Sequence, residues 1–504
     1  MILLIILFII SFAASWVSIR VGIDLSHNFG IVDQPGGHKQ HDRGTPFVGG
    51  AGIFAVLIAG MSVVDAWYPY SEIHCAALGT AASIIFFSGL ADDIWLLNYK
   101  VRILIQTVGA TLMALWGEVM LLDLGNLVSS QPLALGMAAL PFTVFATIGV
   151  INALNMIDGI DGLSGSLSLA SLSLLAIVAL VAGREAHLAL VIILLGGVAG
   201  FLYFNLRRGS RRRAEVFLGD NGSMLLGLLL CWLLIGLSQG ESRAMSPVTA
   251  LWIFAIPLVD AVGAIVRRVS YRHSPFHPDR DHLHHLLMRA GFRVQDIVHI
   301  AFAMQLTIGG VGLMGLYAGV DESWMLAGFL GMFLCYYYLI ARPWRCVPIL
   351  RRLHNRLGLT SVYCRGVFVG QHGTEDEERF FQVLLEELGP RDNYDLCVYR
   401  SKHGEPIGHF RHAIIELYSE EHADSVKELQ KLVGRLKQKF DYDPAISVRQ
   451  LIERNDALDP RIERRTMIGG SRITDRRSKE NKTLIYQMSG RAKAEVGAMA
   501  LSLD

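Results

Sequence analysis

The chain has 504 residues, of which 52% are hydrophobic and only 18% charged, with a net charge of +1. An ordinary soluble domain carries about 25% charged residues, so the composition excludes a simple soluble globule and points to a lipid-facing surface. The near-neutral balance gives no reason to expect nucleic acid as a partner.

A membrane-spanning helix needs about 20 mostly apolar residues. That window predicts eleven spans, near 1–19, 47–66, 74–91, 101–121, 133–150, 165–183, 186–205, 216–237, 247–266, 296–318 and 323–341. The first lacks a basic leader, and its first cation, Arg20, follows the apolar run. This order fits a retained span with the N-terminus outside the cell membrane. Between Arg20 and Arg293 the loops after odd-numbered spans hold sixteen Lys and Arg, and the other five loops hold two. Cytoplasmic loops are enriched in these cations, so the odd loops and the C-terminus are expected in the cytoplasm.

From about residue 345 the chain becomes charged. Strands are expected at 361–370, 395–401 and 412–419, and amphipathic helices at 375–388 and 423–440. The expected fold is thus an all-α polytopic membrane protein with a small C-terminal cytoplasmic α+β domain. Its parts are a membrane domain over 1–341, an extension over 345–458 and a basic tail over 459–504. The six cysteines form no CxxC pair, so neither a disulfide framework nor a zinc site is expected.

Five polar clusters fall in the odd loops. Asp92 and Asp93 stand at the end of the third span, with Lys100 and Arg102 opening the fourth. Adjacent carboxylates can hold a divalent cation or take a proton, or simply anchor a helix end. In NALNMIDGIDGLSG (152–165), Asn152, Asn155, Asp158 and Asp161 are spaced by three with glycines between. Such oxygen ligands can converge on a hard cation, and the bland alternative is an Asx/Gly turn. In VFLGDNGSM, Asp220 suits a metal ligand or a helix N-cap. His282, His284 and His285 follow Arg280 and suit a pyrophosphate, a metal or plain solvation. Lys39 and His41 lie in a basic loop fit for phosphate contact or for membrane anchoring. All five clusters share one membrane side, although the topology rests on cations alone.

Together, NALNMIDGIDGL, VFLGDNGS and the PDRxHxHH pattern resemble the polyprenyl-phosphate N-acetylhexosamine-1-phosphate transferases, and most of all the branch using GlcNAc-1-phosphate. The resemblance covers residues 1–341. It implies transfer of HexNAc-1-phosphate from a UDP-HexNAc to undecaprenyl phosphate, in the bacterial inner membrane, to begin O-antigen or another envelope polysaccharide. It implies Mg²⁺, with Mn²⁺ as a substitute, on Asn155 and Asp220. It implies catalytic roles for Asp92 and Asp93. It also implies substrate contacts from Lys39, His41, Lys100, Asn152, Asp158, Asp161, Arg280, His282, His284 and His285. A homodimer is compatible with it. One departure is His38, where relatives commonly carry Arg. A transporter is the contrasting reading, but it would place its polar groups at mid-membrane within paired repeats. A scaffold for the C-terminal domain would not need five polar clusters.

Overall fold

A computed structural model describes residues 2–29, 32–33, 45–128, 131–208, 213–241, 243–270, 272, 274, 282–341 and 343–357. Beyond these it describes 363–369, 383, 387, 394–401, 411–418, 434–435, 438–439, 446–449 and 482–489. Lys39, His41 and Arg280 lie outside the described residues.

In lipid each backbone N–H and C=O must be satisfied within its own segment, which selects helices for the apolar runs. They are α1 (Ile2–Phe29), α2 (Gly49–Trp67), α3 (Cys75–Trp95) and α4 (Tyr99–Leu115). A 3-10 turn (Gly136–Ala138) leads into α5 (Ala139–Ile157), followed by α6 (Leu163–Val181), α7 (Glu185–Asn205) and α8 (Gly219–Gly236). Then come α9 (Pro247–Ile253), α10 (Ala255–Ser270), α11 (Leu283–Ala290), α12 (Val294–Tyr317), α13 (Glu322–Ile340) and α14 (Pro343–Arg356). Short strands β1 (Val32–Asp33) and β2 (Thr45–Pro46) pair antiparallel between α1 and α2.

Among the described residues, nine helices are long and apolar enough to cross a membrane. Eleven spans were expected, and two of them differ. The fourth is α4, only 17 residues long. The ninth is broken: α9 and α10 meet at 87°. Pro257 explains the break, because its ring has no N–H to donate and would clash with the carbonyl four residues back, that of Ile253. The carbonyl freed there accepts from Ser171 Oγ at 2.9 Å and from Gln305 Nε2, while Gln305 Oε1 accepts the Ile256 N–H at 2.9 Å. Gln305 is fully buried, so one amide from α12 satisfies backbone on both sides of the break.

α7 and α8 are buried on nearly every face, with Phe201 and Trp232 among the largest enclosed side chains. α8 packs on α2, α3 and α5, and α7 on α1, α2 and α6. By contrast, α1 exposes Ile2, Ile5, Ile6, Ile9 and Ile10, and α13 exposes Trp324, Leu330 and Leu334. This apolar exterior suits contact with lipid.

The chain divides into two compact units, and the second includes Pro343–Asp504. In it, β3 (Tyr363–Val369), β4 (Tyr394–Ser401), β5 (Arg411–Tyr418), β6 (Ile446–Arg449) and β7 (Lys482–Ser489) form an antiparallel sheet in the order β6-β3-β5-β4-β7. β7 lies inside the stretch read from sequence as a tail.

Candidate active site

Three glycines bring the backbones of α2, α3 and α8 together. A Cβ on Gly50 would come within 2.5 Å of the Gly222 backbone, and one on Gly89 within 2.5 Å of the Asn221 backbone. At this junction the end of α3 meets the start of α8. Gly219 opens α8 at φ +75°, a left-handed conformation that a side chain would strain.

Asp93 caps that start. Its Oδ1 accepts the Asp220 N–H at 2.8 Å, and its Oδ2 accepts the Asn221 N–H at 3.1 Å and Asn221 Nδ2 at 2.5 Å. The first N–H groups of a helix lack intrahelical partners and carry partial positive charge, so a carboxylate is favourable there. Asn221 Nδ2 also donates to the Phe47 carbonyl at 3.1 Å, tying in the segment before α2.

Asp92 faces differently. It is 3% exposed; Oδ1 accepts the Leu97 N–H at 2.7 Å, and Oδ2 forms a 2.7 Å ion pair with Arg102 that lacks hydrogen-bond alignment. The same guanidinium donates to Asn155 Oδ1 at 3.1 Å and lies 3.7 Å from Asp220 Oδ2. Asn155 Nδ2 donates to Asp220 Oδ1 at 2.6 Å and to Ser223 Oγ at 2.9 Å. The ends of α3, α4, α5 and α8 thus converge on one oxygen-rich cluster, which among the described residues holds a single cation, Arg102.

Lys100, the basic residue predicted for the site, is exposed. Arg102 is two residues on, about 200° around the helix, and it is this residue that meets the carboxylates. Asn152 is one turn deeper than Asn155 and donates to Gln106 Oε1 at 2.7 Å and to the Ile148 carbonyl at 2.8 Å. Asp161 Oδ2 holds Arg207 Nε at 2.8 Å and the Ala214 N–H at 3.2 Å, bracketing the loop after α7. Asp158 stands just beyond α5. Burial, reinforced by Asp220, Asp93 and Asp161, pushes its carboxyl well above the usual carboxylate range.

The histidines adjoin this segment through His284. A Cβ on Gly159 would lie 2.6 Å from His284 Nε2, so the imidazole covers that glycine. Among the described residues neither His284 nitrogen has a hydrogen-bond partner, and burial pushes its pKa down to about 4 despite the pull of Asp260. It is therefore neutral at pH 7. The His282 and His284 rings are parallel within 5° at 5.8 Å, and His285 lies 4.2 Å from His284.

Among the described residues no three His, Cys, Asp or Glu side chains cluster as a metal site. Even so, Asn155 and Asp220 fit a hard cation: their donors are oxygens, and their neighbourhood already attracts a positive charge in the form of Arg102. Sequence reasoning missed the central place of Arg102, the parts of Ser223 and Asn221, and Asp260. A lone acid inside an apolar helix was the available signal for Asp260.

The cluster and the helices that carry it define a polytopic membrane protein with a polar site at its helix ends. A family model, glycosyl transferase family 4, matches residues 75–238, which include Asp92, Asp93, Arg102, Asn155 and Asp220. Three relatives are each named undecaprenyl-phosphate alpha-N-acetylglucosaminyl 1-phosphate transferase. That of Escherichia coli is 36% identical over 65% of this chain and 88% of the relative. That of Yersinia pestis is 35% identical over 71% and 96%, and that of Haemophilus influenzae 35% identical over 69% and 97%. The chain belongs to glycosyl transferase family 4.

Proposed function

We propose that this protein transfers GlcNAc-1-phosphate from UDP-GlcNAc to undecaprenyl phosphate, producing undecaprenyl-diphosphate-GlcNAc and UMP. Family membership and the names of the relatives support the reaction class. The observation that carries the residue assignment is the convergence of Asp92, Asn155 and Asp220 on one cationic group.

In this reading an oxygen of the lipid phosphate attacks the β-phosphorus of the nucleotide-sugar. The bond between that phosphorus and the bridging oxygen breaks, and the oxygen leaves on UMP. Mg²⁺ on Asn155 and Asp220, when bound, supplies charge neutralisation for the pyrophosphate. Asp93 keeps Asp220 in place through the first turn of α8. Asp92, the other member of the acidic pair, accepts a proton from the incoming lipid phosphate. Arg102 exchanges carboxylate contacts for phosphate contacts as charge builds on the transferring group. His282, His284 and His285 contact the nucleotide-sugar phosphates, and Arg280 is assigned to the same contact by the family resemblance alone. Asp158 and Asp161 shape the uridine side, and Lys39, His41 and Lys100 are assigned to substrate binding by the family resemblance alone.

The cation asymmetry of the loops supports an inner-membrane orientation with this site and the C-terminal α+β extension in the cytoplasm. We assign the product to O-antigen or a related envelope polysaccharide.

The test uses the purified full-length protein with radiolabelled UDP-GlcNAc, undecaprenyl phosphate and Mg²⁺. Labelled lipid and stoichiometric UMP are expected. Chelation should stop both, and added Mg²⁺ should restore them. Absence of labelled lipid with every UDP-HexNAc offered would overturn the proposal, while labelling from another UDP-HexNAc alone would change the sugar.

A further inference from the structure

Asp260 is a carboxylate 2% exposed inside α10, among Ala255, Ile256, Val259 and Ala264. A buried carboxylate is costly unless hydrogen bonds compensate it. Here three donors do so. Oδ2 lies 2.7 Å from His282 Nδ1, Oδ1 accepts the Leu283 N–H at 3.0 Å, and the Tyr336 hydroxyl of α13 donates to Oδ1 as well. Leu283 is the first residue of α11, where backbone N–H groups have no intrahelical partner. One side chain from a neighbouring helix therefore fixes both the ring of His282 and the backbone on which the histidine motif begins.

The contact has a chemical consequence. With Nδ1 donating its proton to Asp260, only Nε2 of His282 is left for a ligand, and the ring cannot turn without breaking a buried ion-dipole contact. The parallel rings carry this restraint on to His284, which covers Gly159 next to Asp158.

We infer that Asp260 is a positioning residue for sugar-nucleotide recognition: it holds His282 and the first turn of α11 so that the histidines meet the pyrophosphate. This rests on the transfer reaction proposed above. Tyr336 steadies the carboxylate from α13, donating to Oδ1 while the ring meets Oδ2.

The experiment is a double-mutant cycle in the full-length enzyme, assayed by transfer of label from UDP-GlcNAc to undecaprenyl phosphate with Mg²⁺. Asp260→Asn keeps the size but presents an amide to Nδ1, and it should lower kcat/KM about 10- to 100-fold. The loss should fall on the UDP-GlcNAc side, with KM for undecaprenyl phosphate unchanged. In a His282→Gln background, Asp260→Asn should add almost nothing, because residues acting as one unit are non-additive. Tyr336→Phe leaves the acid–imidazole pair intact and should cost much less. If Asp260→Asn does not fold, Asp260→Glu replaces it in the same cycle, since the longer carboxylate displaces the ring. Losses that multiply with those of His282→Gln, or a KM shifted equally for both substrates, would reduce Asp260 to a structural role and overturn the inference. So would wild-type kinetics in Asp260→Asn, with the transfer reading left intact. Wild-type protein that labels no lipid from any UDP-HexNAc would remove the transfer reading itself and this inference with it.

Discussion

Two polar clusters lie at opposite ends of α4, α5 and α8, and they differ in charge balance. At the loop ends opposite the candidate site, Arg243 pairs with Glu322 at 3.0 Å and with Asp123 at 3.5 Å. Backbone donors add to these pairs: Glu322 Oε2 accepts the Asn126 N–H, and Asp123 Oδ1, the oxygen facing Arg243, accepts the Gly125 N–H, both at 2.8 Å. Gln239 Oε1 takes the N–H groups of Leu122 and Asp123 at 2.8 and 3.2 Å. These contacts staple three loops. The other end sets Asp92 and Asp220 against Arg102, places Asp93 on the first turn of α8 and keeps both His284 nitrogens buried without hydrogen-bond partners among the described residues. The first network sets two carboxylates against one guanidinium and backbone N–H groups. A site for a charged ligand leaves part of its capacity unspent until that ligand binds.

Removing a group from each end tests this contrast. Asp220→Ala should produce the largest effect, roughly a 10³-fold loss of Mg²⁺-dependent UMP release, in a protein that still inserts and folds. Near-normal turnover would end the metal assignment. Arg102→Ala should follow, with a loss of about 10²-fold in turnover. It should also lower stability by roughly 3 kcal/mol, because Asp92 stays buried without its cation. A thermal midpoint unchanged from wild type would show that Arg102 does not offset the Asp92 charge. Glu322→Gln, at the cluster that staples the loops, should have the smallest effect: about 1 kcal/mol of stability, read as a lower midpoint, with kcat/KM unchanged. If it impaired transfer as severely as Arg102→Ala, the division into a structural end and a functional end would fail.

Much of the site is legible in the amino-acid sequence. Asn155 and Asp220 stand out because polar oxygen-bearing groups in Gly-containing motifs are unusual beside apolar spans, and they do meet, at 2.6 Å. The unequal roles of Asp92 and Asp93 are not legible, since adjacent residues on a helix diverge by about 100° and only packing decides which neighbour each faces. Lys100 and Arg102 are ambiguous for the same reason. The ninth span reads as a continuous helix. Pro257 carries the contrary signal, but the rescue of its freed carbonyl by Gln305, 52 residues from Ile253, needs the packed bundle.

What the sequence determined by itself was the helical membrane architecture and the chemical kinds of group at the site. Apolar length and backbone hydrogen bonding leave few options in lipid, and acids among apolar residues are conspicuous. Tertiary structure alone decided the partnerships: Asp93 with the start of α8, Arg102 with three oxygen-bearing side chains, and Asp260 with His282. These contacts join residues from 10 to 128 positions apart. Such pairings depend on where helices cross and on which glycines let them approach, and neither is written in local sequence.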